Sequence, residues 1–216
     1  LLKIGIMYGA NASGKTNILN AVEFFRMLVL SMPKDRNEKT GVVPFLLDET
    51  SRNENTKMSM TFYINQLKYI LSFELDSKRI YSESLVVYES IRPTKLYSRN
   101  YEESTDSSVI EFGANLKLSK KGQDAILGNT INNSSVLAAF GKSNVEKTKL
   151  NDVYDYFSMQ VKNVLAPGML LSAYVKKHLD KDKDGELKKF ILNFLKASDF
   201  NIEDVALHEE EELITP

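Results

Sequence analysis

Hydrophobic positions follow one period at the start of the chain, a second through its middle, and the first again towards its end. Lys3 to Tyr8 is a short, mostly apolar run that predicts a buried strand, and Gly9 to Thr16 a loop. From Thr16 to Leu30, Ile18, Ala21, Val22, Phe25, Leu28 and Val29 recur every three or four positions, which predicts one apolar helix face. Pro33 stops that helix, and Pro33 to Thr40 is a polar loop. Asn53 to Thr56 is a second polar break. The period then drops to two. Lys57 to Asn65 alternates Met58, Met60, Phe62 and Ile64 with polar residues, and Leu67 to Asp76 follows after only Asn65-Gln66, a hairpin signal. Arg79 to Tyr88 and Lys95 to Tyr101 predict two more strands, and Ser104 to Ser108 a loose polar tip. This pattern predicts an antiparallel meander rather than a series of strand–helix–strand units.

Helical periodicity returns from about Lys120. Ser134 to Phe140 is a short apolar stretch. Val145 to Leu165 predicts a long amphipathic helix carrying Leu150, Val153, Tyr154, Phe157, Val161 and Leu165, ended by Pro167-Gly168. Met169 to Leu179 and Glu186 to Ala197 predict two further helices, and Glu209 to Glu212 a solvated acidic tail. The expected fold class is α/β. Residues 1–118 form a lobe of strand, helix and meander, 119–200 a helical subdomain, and 201–216 a return segment.

Composition narrows the chemistry. The 216 residues include no cysteine and two histidines, His178 and His208, which excludes a disulfide scaffold, a thiolate zinc site and a multi-histidine metal site within this chain. Lys plus Arg total 28 against 29 Asp plus Glu, so net charge gives no global attraction for nucleic acid. Lys142, Lys147 and Lys149 with Arg92, Lys95 and Arg99 are candidates for a local basic patch; solvated charge is the plainer account. No run approaches the length of a membrane span and no signal peptide is visible, so the expected location is the cytoplasm.

Gly9-Ala10-Asn11-Ala12-Ser13-Gly14-Lys15-Thr16 matches G-x-x-x-x-G-K-[ST] at every fixed position. At average residue frequencies such a match arises by chance in about 1% of chains this long. It also stands between an apolar strand and an amphipathic helix, the context that this phosphate-binding loop requires. Glycines let the backbone wrap a phosphate closely, and inward N–H groups form a nest for its oxygens. The helix start adds positive potential, Lys15 a point charge, and the Thr16 hydroxyl a hard ligand for Mg²⁺. The expected ATP-binding residues are therefore Gly9, Ala10, Asn11, Ala12, Ser13, Gly14, Lys15, Thr16 and Asn17, with Thr16 on the metal. A Gly-rich turn without a ligand leaves Lys15 and Thr16 unexplained.

Hydrolysis needs a carboxylate as well. Val42 to Glu49 looks like an apolar strand ending in Asp48-Glu49, although Pro44 disfavours a central strand and an apolar loop is the alternative. Leu118-Ser119-Lys120-Lys121-Gly122-Gln123 approaches the Leu-Ser-Gly-Gly-Gln signature of ABC ATPases but lacks its first glycine; a basic turn before a helix is the better account. Asp180 to Gly185 (DKDKDG) matches the front of a calcium loop, but position 12 would be Ile191, which favours a solvated connection with Asp184 capping the next helix.

The run IMYGANASGKTNILNAVEFFRMLV resembles the start of the bacterial AAA-family ATPases with ABC-type heads. These are relatives of the SMC-like and OLD-like proteins, of the abortive-infection and phage-resistance kind. Pro44 to Asp48, Met60 to Ile64, Tyr69 to Asp76 and Leu195 to Asp204 are similar to later parts of the same pattern. The resemblance implies an ATPase head that dimerises around two ATP molecules, each held between one subunit's P-loop and the other's signature motif. By matched position, Gly9, Asn11, Gly14, Lys15 and Thr16 would hold nucleotide and Mg²⁺. It implies too that the first strands lie before Leu1, and that the signature, the catalytic carboxylates and a switch histidine lie after Pro216, this chain being an N-terminal portion. An effector protein is the further expected partner.

Overall fold

The alternation at Met58, Met60, Phe62 and Ile64 becomes the first strand of a five-stranded antiparallel sheet in a computed structural model that describes residues 6–11, 13–45, 48, 50–52, 54–162, 172–197 and 202–205. The strands are β1 (Thr56–Ile64), β2 (Leu67–Leu75), β3 (Ile80–Tyr88), β4 (Thr94–Glu102) and β5 (Ser107–Phe112), paired in chain order. The helices are α1 (Lys15–Leu30), α2 (Lys120–Asn129), α3 (Val136–Gly141), α4 (Lys149–Asp155), α5 (Ser172–Leu179) and α6 (Glu186–Ala197), so the chain is α/β. Two compact units divide it, residues 1–164 and 165–216.

Local chemistry sets the turns of the meander. Asn65 and Gln66 both take positive φ, 49° and 68°, in a two-residue hairpin with Ile64 opposite Leu67. That geometry matches the twist of the flanking strands. Between β2 and β3, Asp76 Oδ1 accepts the N–H groups of Lys78 at 2.7 Å and Arg79 at 2.8 Å. An irregularity in the β3–β4 register after Leu85 admits an extra residue, which puts Leu96 and Tyr97 in the core together.

One sheet face is buried under the C-terminal half of α1, α3 and α4. Phe25 meets Phe73 edge-on at 5.2 Å and stacks on Phe157 at 5.9 Å. The buried side chains Phe25, Leu28 and Val29 lie late in α1, whereas residues 16–21 are exposed. Beneath α3 the core holds ions. Glu83 and Arg99 are fully buried, 3.7 Å apart. Tyr97 donates to Glu83 at 2.6 Å, and Arg99 donates to the carbonyls of Ile131 and Asn132 at 3.1 Å each and to that of Ser134. The loop so held reaches α1: the Ser135 hydroxyl donates to Leu28 O at 2.5 Å and accepts from Ala138 N at 2.9 Å.

Several expectations need correction. Ile6 to Tyr8 form no strand and are exposed, because among the described residues no strand pairs with them; Lys3 to Gly5 lie outside the described residues. The tip at 104–108 is shorter than expected: a turn at Glu103–Thr105 leads into β5, a strand that apolar alternation does not announce because Val109 and Ile110 are adjacent. The long helix at 145–165 begins only at Lys149. Thr148 and Asn151 close a capping box there, and the helix unwinds into a wider turn over Tyr156–Gln160. Residues 163–171, with Pro167-Gly168, and the acidic tail lie outside the described residues.

Candidate functional site

The start of α1 is built to leave polar groups open. Gly14 precedes the helix at φ 84°, ψ 8°, a left-handed conformation that costs an L side chain about 1–2 kcal/mol. At Gly9 an added Cβ would stand 2.7 Å from Ser13 Oγ, so a side chain there would push the Ser13 hydroxyl aside. Ser13 N donates to Ala10 O at 3.3 Å across the turn. Asn11 lies in the same turn, and Ala12 falls outside the described residues. The Lys15 ammonium folds back over the loop and donates to Gly9 O at 2.8 Å, Ala10 O at 2.7 Å and Ser13 Oγ at 3.3 Å. All three of its donors are thus engaged, and an arriving anion competes with neutral acceptors for them.

The helix adds its own potential. The first helical bond runs from Ile18 N to Gly14 O at 3.3 Å, so the N–H groups of Lys15, Thr16 and Asn17 precede the ladder. No side chain caps this end and its first turn holds no acidic residue. A cavity of about 190 Å³ is lined by Ser13, Gly14, Lys15, Thr16 and Asn17, with Thr16 and Asn17 exposed. Its lining offers an ammonium, two hydroxyls, an amide and the N–H groups of the first helical turn. That set suits a polyanion such as a nucleotide phosphate.

Residues 5–211 match the family described as "AAA domain, putative AbiEii toxin, Type IV TA system". The chain belongs to that family. No curated protein and no solved structure matches it. As an AAA-family ATPase domain it is a nucleotide-binding protein. Among the described residues no helix is long and apolar enough to cross a membrane.

The domain uses the remaining candidates structurally. Asp48 is exposed and lies on no strand; its Oδ2 accepts the N–H and the hydroxyl of Ser51, each at 2.7 Å, which holds its carboxyl below the usual range. Leu46, Leu47 and Glu49 lie outside the described residues, and Val43 and Phe45 are exposed rather than packed on the core. Ser119 caps α2, accepting from Gly122 N at 3.1 Å, as a turn before a helix should. In the DKDKDG loop the cap is Asp182, not Asp184. Its two oxygens accept from Leu187 N at 3.1 Å and Lys188 N at 2.8 Å.

Arg99 leaves the expected basic patch altogether, because it is in the core, while Lys95 pairs with Glu111 at 2.6 Å and Lys149 with Glu89. His178 is exposed, its ring 4.1 Å from that of Tyr174; His208 lies outside the described residues. Among the described residues no group of three His, Asp or Glu gathers as a metal site. A single Thr16 hydroxyl is still a fitting ligand for Mg²⁺, which is held by few protein oxygens when phosphates supply others. Sequence reasoning missed the Asn133–Ser135 loop. Its only trace is a polar run, Asn132 to Ser135, set directly before a buried apolar one.

Proposed function

We propose that the chain is the ATP-binding part of a defence-type ATPase with an ABC-like head. The observation that carries this reading is the turn at Gly9–Asn17, where left-handed Gly14, the Lys15 ammonium and the uncapped start of α1 converge on one cavity. The backbone N–H groups of residues 14–17 would bind phosphate oxygens, Lys15 would exchange its loop carbonyls for phosphate, and the Thr16 hydroxyl would hold Mg²⁺. When bound, the Mg²⁺–ATP pair supplies the hydrolysable phosphoanhydride. Among the described residues the lining of the cavity contains no carboxylate, and in this reading the groups that orient water come from elsewhere in the head and from a second subunit. Homodimerisation through the head, a cytoplasmic location and coupling to an effector or to nucleic acid belong to this reading.

The same lack of a base in the lining favours a second reading, a nucleotide-gated interaction module in which ATP joins two heads without useful turnover. One experiment separates the two: single-turnover phosphate release and light scattering with ATP and Mg²⁺, on this chain and on the longest polypeptide that carries it. The first reading expects phosphate release that depends on dimer formation in the longer protein. Dimerisation without release supports the module. ATP binding that ignores the turn, tested by Lys15→Ala, removes both.

A further inference from the structure

At one end of the sheet a cavity of about 420 Å³ lies among Glu89, Asn115, Lys117, Lys147 and Lys149. Its size is within the range of small-ligand sites. Three separate stretches build it: the residue after β3, the turn after β5, and the start of α4. It shares no lining residue with the cavity at the Gly-rich turn.

The fold holds these stretches in place. At Gly113 an added Cβ would collide with Lys95 O, and Gly113 N donates to Leu96 O at 2.8 Å, so the turn after β5 is pinned against β4. Leu116 and Leu118 are buried on either side of Lys117, which is exposed, so the side chain between them stands outside the core. Lys117 also takes φ 54°, ψ 40°, a left-handed conformation that favours glycine or asparagine. The chain thus keeps a long cation where its backbone prefers a small residue. Thr148 N donates to Asn151 Oδ1 at 2.8 Å, which fixes the backbone between Lys147 and Lys149.

The charges of the lining do not cancel. Among the described residues Glu89 is its one carboxylate, and Lys149 pairs with it. The carboxylate of nearby Glu146 is engaged by Ser119 N at the start of α2. Among the described residues the side chains of Lys117 and Lys147 have no ion-pair or hydrogen-bond partner. Two ammonium groups are therefore uncompensated, and the excess charge selects an anion. The lining holds no aromatic residue, and its one apolar member, Leu116, is buried, so nothing in the wall matches a base or an apolar stem. Ammonium point charges around one space suit the oxygens of phosphate. We propose that this cavity binds an oligophosphate, its oxygens accepting from the ammonium groups of Lys117, Lys147 and Lys149 and from the Asn115 amide. The site does not depend on the function assigned to the nucleotide turn.

The test is a ¹H–¹⁵N titration of the whole chain with sodium tripolyphosphate, without Mg²⁺, at neutral pH and fixed ionic strength. Parallel titrations use tricarballylate as a carboxylate polyanion and a short thymidine oligonucleotide. Saturable shifts are expected at residues 114–117 and 147–149, fitted separately from those at residues 13–17. Tricarballylate should bind at least about tenfold more weakly. Binding of tripolyphosphate without the oligonucleotide identifies a free oligophosphate as the ligand, and binding of both at the same residues a nucleic-acid backbone. Lys117→Gly combined with Lys147→Gln should weaken binding about tenfold or more without lowering the melting temperature, because glycine suits the left-handed backbone and residue 147 is exposed. Lys34→Gln combined with Lys39→Gln removes the same charge from exposed positions elsewhere and should leave affinity within about twofold. The proposal is overturned by shifts with tripolyphosphate that do not saturate, by equal affinity for tricarballylate, or by unchanged binding in the Lys117 and Lys147 variant. An equal loss in the Lys34 and Lys39 variant overturns it too, since general charge would then account for the binding.

Discussion

The two ends of α1 are opposites. At its C-terminal end Phe25, Leu28 and Val29 are buried, and Ser135 fastens the Leu28 carbonyl. The Glu83–Arg99 pair behind that loop ties it to the sheet. At its N-terminal end residues 16–21 are exposed and the helix is uncapped, and the one charged group, Lys15, makes exchangeable bonds to neutral oxygens. One helix thus carries a scaffold half whose polar groups are mostly answered within the chain, and a site half whose polar groups await an outside partner. Stability should therefore be lost at one end and affinity at the other, with little crossover.

The largest effect is expected at the scaffold end. Arg99→Met leaves the Glu83 carboxylate buried without its cation and frees three carbonyls, which should lower the unfolding free energy by about 3–5 kcal/mol. Urea denaturation measures it. A second substitution, Glu83→Leu, should restore much of the loss, since an apolar pair of similar volume removes both desolvation costs. A loss below about 1 kcal/mol for Arg99→Met would erase the contrast between the two ends. Next comes the site end. Lys15→Ala should weaken ATP binding about a hundredfold, equivalent to roughly 2.7 kcal/mol, while its exposed position leaves the urea midpoint unchanged. Calorimetry with ATP and Mg²⁺ reads the first and denaturation the second; a shifted midpoint would mean that the turn is part of the scaffold.

How legible each half was in the sequence follows from the same contrast. Strands β1 and β2 could be read because one face is buried and the other open, so the side-chain period of two survives in Met58-Ser59-Met60-Thr61-Phe62. The site motif could be read because its chemistry is local: two glycines, a lysine and a hydroxyl within eight positions. The ionic knot could not. Arg99 looks like any surface cation until Glu83 of the neighbouring strand and the carbonyls of residues 131–134 are brought to it in space. The strand expected at Ile6–Tyr8 fails for a related reason, since an apolar run becomes a strand only when another strand bonds to it.

A smaller effect tests the joint between the halves. Ser135 both caps α3 and donates to Leu28 O, so Ser135→Ala should cost about 1–2 kcal/mol by denaturation. If the joint also transmits strain to the turn, ATP affinity will fall with it. Unchanged affinity in the folded protein keeps scaffold and site separable.

The smallest effect is a slope. Burial pushes the Glu83 carboxyl above the usual carboxylate range, against the opposing pull of Arg99, Tyr97 and the N–H groups of Val136 and Leu137. A carboxyl raised on folding binds its proton more tightly in the native state than in the unfolded one. Its contribution is therefore present in full below the unfolded value, near 4.3, and is lost as pH rises through the folded value. One such group gives a slope of at most about 1.4 kcal/mol per pH unit. Glu83→Gln removes the titration while keeping an amide that can accept from Val136 N. The stability of Glu83→Gln minus that of the native protein should accordingly rise as pH increases above about 4.3, in paired urea titrations. A difference that stays level or falls would mean that Arg99 outweighs burial and keeps Glu83 charged throughout. The scaffold end would then be an ordinary ion pair rather than a strained one, and the Arg99→Met loss would need a different account.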